Sequence, residues 1–63
     1  MKSYEADLGT WERGRLFRVK AKDASRALAL AEQEARNGEA VVQIRQLRPQ
    51  RLVWDYTHGT LSQ

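Results

Sequence analysis

The sequence predicts an α+β domain of ββαββ order: a four-stranded, mainly antiparallel sheet with one α-helix packed on one face. Two observations predict this class. Apolar residues recur at helical spacing across residues 23–38, and strand-like segments with turn residues between them lie on both sides of that stretch. Because two hairpins flank one helix, the helix covers a single face of the sheet and leaves the other face open.

The first hairpin is indicated by two segments in which apolar and polar residues alternate. The apolar positions are Tyr4, Ala6 and Leu8 in residues 3–8, and Phe17, Val19 and Ala21 in residues 15–21. The connecting residues 9–14, GTWERG, carry a glycine at each end and are typical of a turn.

Charge favours one register for this hairpin. If Asp7 lies across from Arg18, and Glu5 across from Lys20, each acidic side chain faces a basic one. Such cross-strand pairs stabilise a sheet by about 0.2–1 kcal/mol each. A slip of one residue leaves both acidic residues unmatched, so we expect the charge-paired register.

The helix is predicted over residues 23–38, DASRALALAEQEARNG. Asp23 is a suitable N-cap because its carboxylate can accept hydrogen bonds from the first turn. Gly38 is a suitable stop signal because glycine adopts the left-handed conformation cheaply. The apolar stripe is Ala24, Ala27, Leu28, Ala31 and Ala35. We therefore expect a helix that lies close to the sheet but contributes little apolar area.

The second hairpin joins residues 40–47 to residues 52–57 and contains Pro49, which ends the first of these strands. Ala40, Val42 and Ile44 are the more apolar set of the first strand. A two-residue loop would put Trp54 and Tyr56 on the face of Arg45, whereas a three-residue loop with a bulge would place Leu52, Trp54 and Tyr56 with Val42 and Ile44. We favour the second arrangement because it brings two aromatic side chains into a small core.

The chain is expected to form one domain over residues 1–57, followed by a disordered tail over residues 58–63. A domain of 63 residues buries only about 60% of its unfolded surface, so self-association into a homodimer is one route to further stability. The chain has no cysteine and one histidine, His58, and it contains no catalytic or metal-binding motif. We expect neither an enzyme, nor a metal site, nor a cofactor.

The location expected from the sequence is the cytoplasm. No apolar run approaches the roughly 18 residues of a membrane span. The first nine residues include acidic residues where a secretion signal has an apolar core. The alanine- and arginine-rich composition suggests a bacterial or phage source.

The basic residues suggest a surface that binds nucleic acid. Residues 15–22 contain four cationic residues and no acidic one, and the second hairpin adds three arginines. Cationic side chains bind phosphates without reading bases, and an exposed tryptophan can stack on a base. The candidate site residues are Arg15, Arg18, Lys20, Lys22, Arg45, Arg48, Arg51 and Trp11. The alternative is that these charges only neutralise Glu5 and Asp7 and keep the surface soluble.

A second hypothesis is a protein-interaction or self-associating accessory module, such as a phage-type inhibitor. Its basis is the uncovered face of the sheet, on which Leu16, Val41 and Val53 are expected to point outward. The two hypotheses differ in their response to salt, because only phosphate binding weakens steeply as salt rises.

Overall fold

The computed structural model describes residues 1–61 and contains one helix and five strands. The elements in chain order are β1 (Lys2–Gly9), β2 (Gly14–Ala21), α1 (Ala24–Glu34), β3 (Ala40–Leu47), β4 (Gln50–Asp55) and β5 (Gly59–Thr60). The strands form one sheet in the order β2-β1-β3-β4-β5, and every neighbouring pair is antiparallel. The predicted α+β class with one helix is confirmed, but the sheet has five strands and not four.

The fifth strand is two residues long, and Gly59 and Thr60 pair with Asp55 and Trp54 of β4. The Leu61 N–H extends this pairing by donating to the Val53 carbonyl at 3.0 Å. These residues belong to the segment that was expected to be a tail. The last two residues of that segment, 62 and 63, lie outside the described residues.

Helix α1 begins as predicted and ends earlier than predicted. The Asp23 carboxylate accepts a hydrogen bond of 2.9 Å from the Arg26 N–H, as an N-cap does. The last helical residue is Glu34, after which Ala35 leaves the helical conformation. Gly38 has a φ of +87°, but it lies in the turn that leads to β3. Its left-handed conformation therefore shapes the connection and does not cap the helix.

The register of the first hairpin differs from the prediction by two residues, so the same side chains share a face but face different partners. Glu5 lies opposite Arg18, and Asp7 lies opposite Leu16. The prediction considered one neighbour of β1, whereas β1 is an interior strand and pairs with β3 as well as with β2. Asp7 receives its cationic partner, Arg45, from that second neighbour.

The connecting loop stabilises this register. The Thr10 N–H donates to the Arg13 carbonyl at 2.8 Å, and the Thr10 hydroxyl oxygen accepts from the N–H groups of Glu12 and Arg13. Gly9 and Gly14 are the last paired residues on the two strands. The loop therefore comprises residues 10–13. The predicted register places the loop one position later in the chain, and in an antiparallel pair this changes each cross-strand partner by two residues.

A bulge exchanges the roles of two valines in β3. Asp7 pairs with Gln43 and Leu8 pairs with Val41, so Val42 has no partner on β1. Val41 is buried, whereas Val42 is 45% exposed. The expectation that Val42 packs in the core and Val41 points outward was wrong, because strict alternation does not hold across a bulge.

A second bulge, in β4, alters the second hairpin. Ile44 pairs with Trp54 and Arg45 pairs with Leu52, so Val53 is the additional residue. Trp54 packs against the core as expected. Leu52 instead lies across from Arg45 on the face away from the helix, and Val53 is buried where it was expected to point outward. Tyr56 follows β4 and is 72% exposed, so it does not join the core.

The core lies between α1 and one face of the sheet. Its buried members are Tyr4, Ala6, Leu8, Ala21, Ala27, Ala31, Val41, Ile44 and Val53. Two of the helical contributors are alanines, which allow the helix to approach the sheet closely. The opposite face of the sheet is covered by no other element of the described residues, and we call it the open face.

The exchanged valines give a direct test of the bulge. We expect Val41→Ala to lower the free energy of unfolding by about 1–2 kcal/mol more than Val42→Ala, because only Val41 loses buried methyl groups. Urea denaturation followed by circular dichroism measures both variants, and each serves as the control for the other. Equal losses, or a larger loss for Val42→Ala, would contradict the observed register.

Candidate nucleic-acid interface at the basic end of the sheet

The centre of the open face is a ladder of ion pairs across three strands. Glu5 of β1 accepts hydrogen bonds from Arg18 of β2 at 2.8 Å and from Arg45 of β3 at 2.7 Å. Arg45 also donates to both oxygens of Asp7, at 3.0 and 3.1 Å. Gln43 completes the row by donating its amide to Asp7 at 2.9 Å. Cations and carboxylates therefore alternate along this row.

The charged side chains of the ladder are paired with one another and are largely shielded from solvent, except for Arg18. The side chain of Glu5 is 10% exposed and that of Arg45 is 22% exposed. Hydrogen bonds from Arg45, and then from Arg18, hold the pKa of Glu5 below its usual value. Hydrogen bonds from Arg45 do the same for the pKa of Asp7. The middle of the open face is thus formally neutral, and Arg45 is not available to a phosphate. Arg18 is also paired, but its side chain remains 74% exposed.

A second ion-pair cluster lies on the helix side, at the end of the sheet where β2 begins. Arg15 holds Glu39 with two bonds of 2.8 Å, from Nε and Nη2. It also reaches the Glu34 side chain at 3.2 Å, so it ties β2 to the end of the helix. The Arg15 bonds, and then the Arg36 N–H, lower the pKa of Glu39 to about 2. Arg15, predicted as a phosphate contact, is therefore engaged inside the molecule.

The other end of the sheet is strongly basic. Four features meet there: the start of β1, the end of β2, the start of α1 and the turn between β3 and β4. Their cationic residues are Lys2, Lys20, Lys22, Arg26, Arg48 and Arg51, and all six are exposed. Asp23 is the one carboxylate among these segments, so this region, the basic end, has a formal charge of +5.

Two shallow depressions connect these side chains. Arg18, Lys20 and Arg48 contribute to the first, which has a volume of about 530 Å³. Lys20, Lys22 and Arg26 contribute to the second, of about 460 Å³. Since Lys20 lines both, the basic surface runs continuously from the β3–β4 turn to the first turn of the helix.

The β3–β4 turn is held by Gln46, whose side chain is buried within the basic end. Its amide nitrogen donates to the Arg48 carbonyl at 3.0 Å, and its oxygen accepts from Arg51 at 3.3 Å. The turn therefore presents the Arg48 side chain from a fixed backbone.

The predicted site residues are only partly brought together. The basic end contains Lys20, Lys22, Arg48 and Arg51, and Arg18 lies at its border. Sequence reasoning missed Lys2 and Arg26. Lys2 pairs with Ala21, one residue from Lys22, and Arg26 lies in the first turn of the helix. The strand pairing and the position of the helix place both residues at the basic end, although neither lies in a run of basic residues in the sequence.

The exposed aromatic side chains lie elsewhere. Trp11, which was predicted to stack on a base, is 92% exposed in the β1–β2 loop at the opposite end of the sheet. Tyr56, which follows β4, is at that opposite end as well. Tyr4 lines the first basic depression but is only 2% exposed. The basic end therefore offers charge to phosphates and no exposed ring to a base.

Within residues 1–61, no cluster of three metal-ligating side chains is present, and no helix is long and apolar enough to cross a membrane. The chain was compared with protein-family models, with curated proteins and with solved structures, and none of them matches it.

The Arg15 cluster makes stability depend on pH. The pKa of Glu39 in the folded chain, about 2, is below the usual value of about 4.3 for an unfolded chain. Its contribution to stability is therefore present above about pH 4.3 and is lost as the pH falls towards 2. We expect Glu39→Gln to be less stable than the wild type at pH 7, and the two unfolding free energies to converge near pH 2.

Urea denaturation at several pH values measures this convergence. Glu12→Gln is the control, because Glu12 is exposed in the β1–β2 loop and its side chain forms no ion pair with the described residues. A constant difference between wild type and Glu39→Gln from pH 7 to pH 2 would contradict the role given to the Arg15 contacts.

Proposed function

We propose that this protein is a small non-enzymatic module that binds nucleic acid through phosphate contacts at its basic end. The observation that carries the proposal is the separation of charge. The basic end has a formal charge of +5, while the rest of the chain sums to −2. Six exposed cations and a single carboxylate therefore lie at one end of the sheet.

The expected mode of binding is electrostatic. Each Lys or Arg that neutralises a phosphate releases a condensed counterion, so affinity falls steeply with salt. Because no exposed aromatic side chain lies at the basic end, stacking adds little, and we expect weak dependence on base sequence. No cofactor is required. A nucleic-acid partner fits a cytoplasmic protein.

Two double variants test the proposal at equal net charge. Arg26→Gln with Arg48→Gln removes two cations from the basic end, and Arg13→Gln with Arg36→Gln removes two from the opposite end. We expect the first pair to reduce the slope of log K against log salt by about 2, because two phosphate contacts are lost. We expect the second pair to leave the slope close to that of the wild type. Fluorescence polarisation with a labelled 20-base-pair duplex, over a series of salt concentrations, provides the measurement.

Two results would count against nucleic-acid binding. One is a wild-type dissociation constant weaker than about 10⁻⁴ M in low salt, which lies below the usual non-specific range. The other is an equal effect of the two double variants, since binding would then depend on the net charge of the protein and not on the position of its cations.

A second candidate function, protein interaction or self-association, is favoured by a different observation. Trp11, Leu16 and Val42 are exposed by 92%, 60% and 45%, and all three line one depression of about 490 Å³. This apolar cluster replaces the predicted set, of which only Leu16 is exposed. Clustered exposed apolar side chains mark interaction surfaces more often than isolated ones do.

Self-association is tested by removing one aromatic ring from the apolar cluster. If a homodimer forms through it, Trp11→Ser should remain a monomer at concentrations where the wild type dimerises. Tyr56→Ser, which removes a similarly exposed ring outside the cluster, should dimerise like the wild type. Sedimentation equilibrium at low and high salt gives the masses. A wild type that stays monomeric at every concentration, or a Trp11→Ser variant that dimerises equally well, would rule out this interface.

A further inference from the structure

A fourth depression, of about 460 Å³, lies where the end of α1 meets the start of β3 and the end of β4. Two aromatic residues, Trp54 and Tyr56, line it, together with two acidic residues, Glu32 and Glu39. Trp54 is half-buried and packs against the core, while Tyr56 is 72% exposed. The site thus combines a tryptophan that is packed against the core with a tyrosine that is exposed to solvent, and two glutamates lie in the same lining.

The two carboxylates differ in how much charge they can offer. Glu39 is already held by Arg15 through two hydrogen bonds, and its side chain is 13% exposed. Glu32 is exposed on the helix, and its side chain makes no hydrogen bond or ion pair with the rest of residues 1–61. Glu32 therefore lines the depression without a charged partner among residues 1–61.

The remaining charges around the depression leave it slightly negative. Arg15 contacts Glu34 and Glu39, and the Arg36 N–H donates to Glu39. Two arginines and three glutamates, with Glu32 included, give this region a formal charge of −1. Ala35 and Ala40 also line the depression, and their small side chains leave room for a ligand group next to the rings.

We propose that this depression, the aromatic–acidic site, binds a single cationic ammonium or guanidinium group. A cation is attracted to the face of an aromatic ring by the quadrupole of the ring, and Trp gives the strongest such interaction. Glu32 adds a carboxylate that has no hydrogen-bond or ion-pair partner within residues 1–61. The cation comes either from a lysine or arginine side chain of a partner or from a free alkylammonium compound. The inference does not depend on nucleic-acid binding, because the site lies at the opposite end of the sheet.

Tryptophan fluorescence makes the site directly observable. The chain has two tryptophans, so Trp11→Phe leaves Trp54 as the only one. We expect tetramethylammonium chloride to change the Trp54 emission saturably, with half-saturation at about 1–10 mM, the range of one partly exposed cation site. N-acetyl-lysine methylamide tests the side-chain source in the same way. The alcohol 3,3-dimethyl-1-butanol carries a tert-butyl group, the neutral isostere of a trimethylammonium group, and should produce no saturable change. Sodium chloride keeps the ionic strength constant.

Variants in the Trp11→Phe background separate the contributions. Glu32→Gln should weaken binding about two- to five-fold, because it removes the unpaired charge and keeps the shape of the side chain. Tyr56→Ser should weaken binding by a similar factor, whereas Tyr56→Phe should retain it, since the ring face is kept. Glu12→Gln is the matched control for loss of one negative charge and should bind like the parent.

A saturable response to tetramethylammonium supports the site and shows that a free alkylammonium is sufficient. A response to the lysine compound alone also supports it and assigns the cation to a side chain. The proposal is overturned if neither compound gives saturation by about 100 mM. It is equally overturned if the neutral isostere responds as strongly, or if Tyr56→Ser and Tyr56→Phe bind alike.

Discussion

The contact on which the rest of this structure depends is the one between Glu5 on the interior strand β1 and Arg45 on the neighbouring strand β3. Charged side chains on an interior strand of a sheet lose much of their hydration, and this loss is unfavourable unless each charge gains a close partner. Glu5 pairs with Arg18 and Arg45, and Asp7 shares Arg45 with Glu5. The row can form only when β1 lies between β2 and β3, so sheet order and charge pairing require each other.

This pairing also decides which cations are left for other molecules. The two arginines of the open face, Arg18 and Arg45, form ion pairs with Glu5 and Asp7. Arg15 forms ion pairs with Glu34, at the end of the helix, and with Glu39. Six exposed cations lie at the basic end, where β1 begins and β2 ends. A chain with a modest net charge therefore has a neutral centre, a basic end and a slightly acidic end that carries both exposed aromatic rings.

The local elements were predictable because each leaves a mark within a few residues. The alternation of Tyr4, Ala6 and Leu8, the Asp23 cap and the spaced alanines all gave elements that the structure contains. Predictions failed where the pairing of a residue depends on a strand that is distant in the sequence. Arg45 and Glu5 are 40 residues apart, so no local pattern shows that they pair.

The two bulges and the short strand β5 could not be predicted from the alternation of apolar and polar residues either. A bulge shifts which of two adjacent residues is buried, as it does for Val41 and Val42, and either valine satisfies the alternation equally well. A two-residue strand such as β5 has no period to detect. For the candidate site, residue type alone named most of the cations of the basic end. It did not show that Arg15 and Arg45 are taken by carboxylates, or that Glu32 lies beside Trp54.

The most direct test of this account is a map of backbone amide shifts while a short duplex is added to ¹⁵N-labelled protein at low salt. The account predicts that the largest shifts fall on Lys20, Lys22, Arg26 and Arg48, with little change at Glu5, Asp7 and Arg45. Shifts centred on the middle of the open face would contradict it, because the ion-pair ladder would then have to open to bind phosphate.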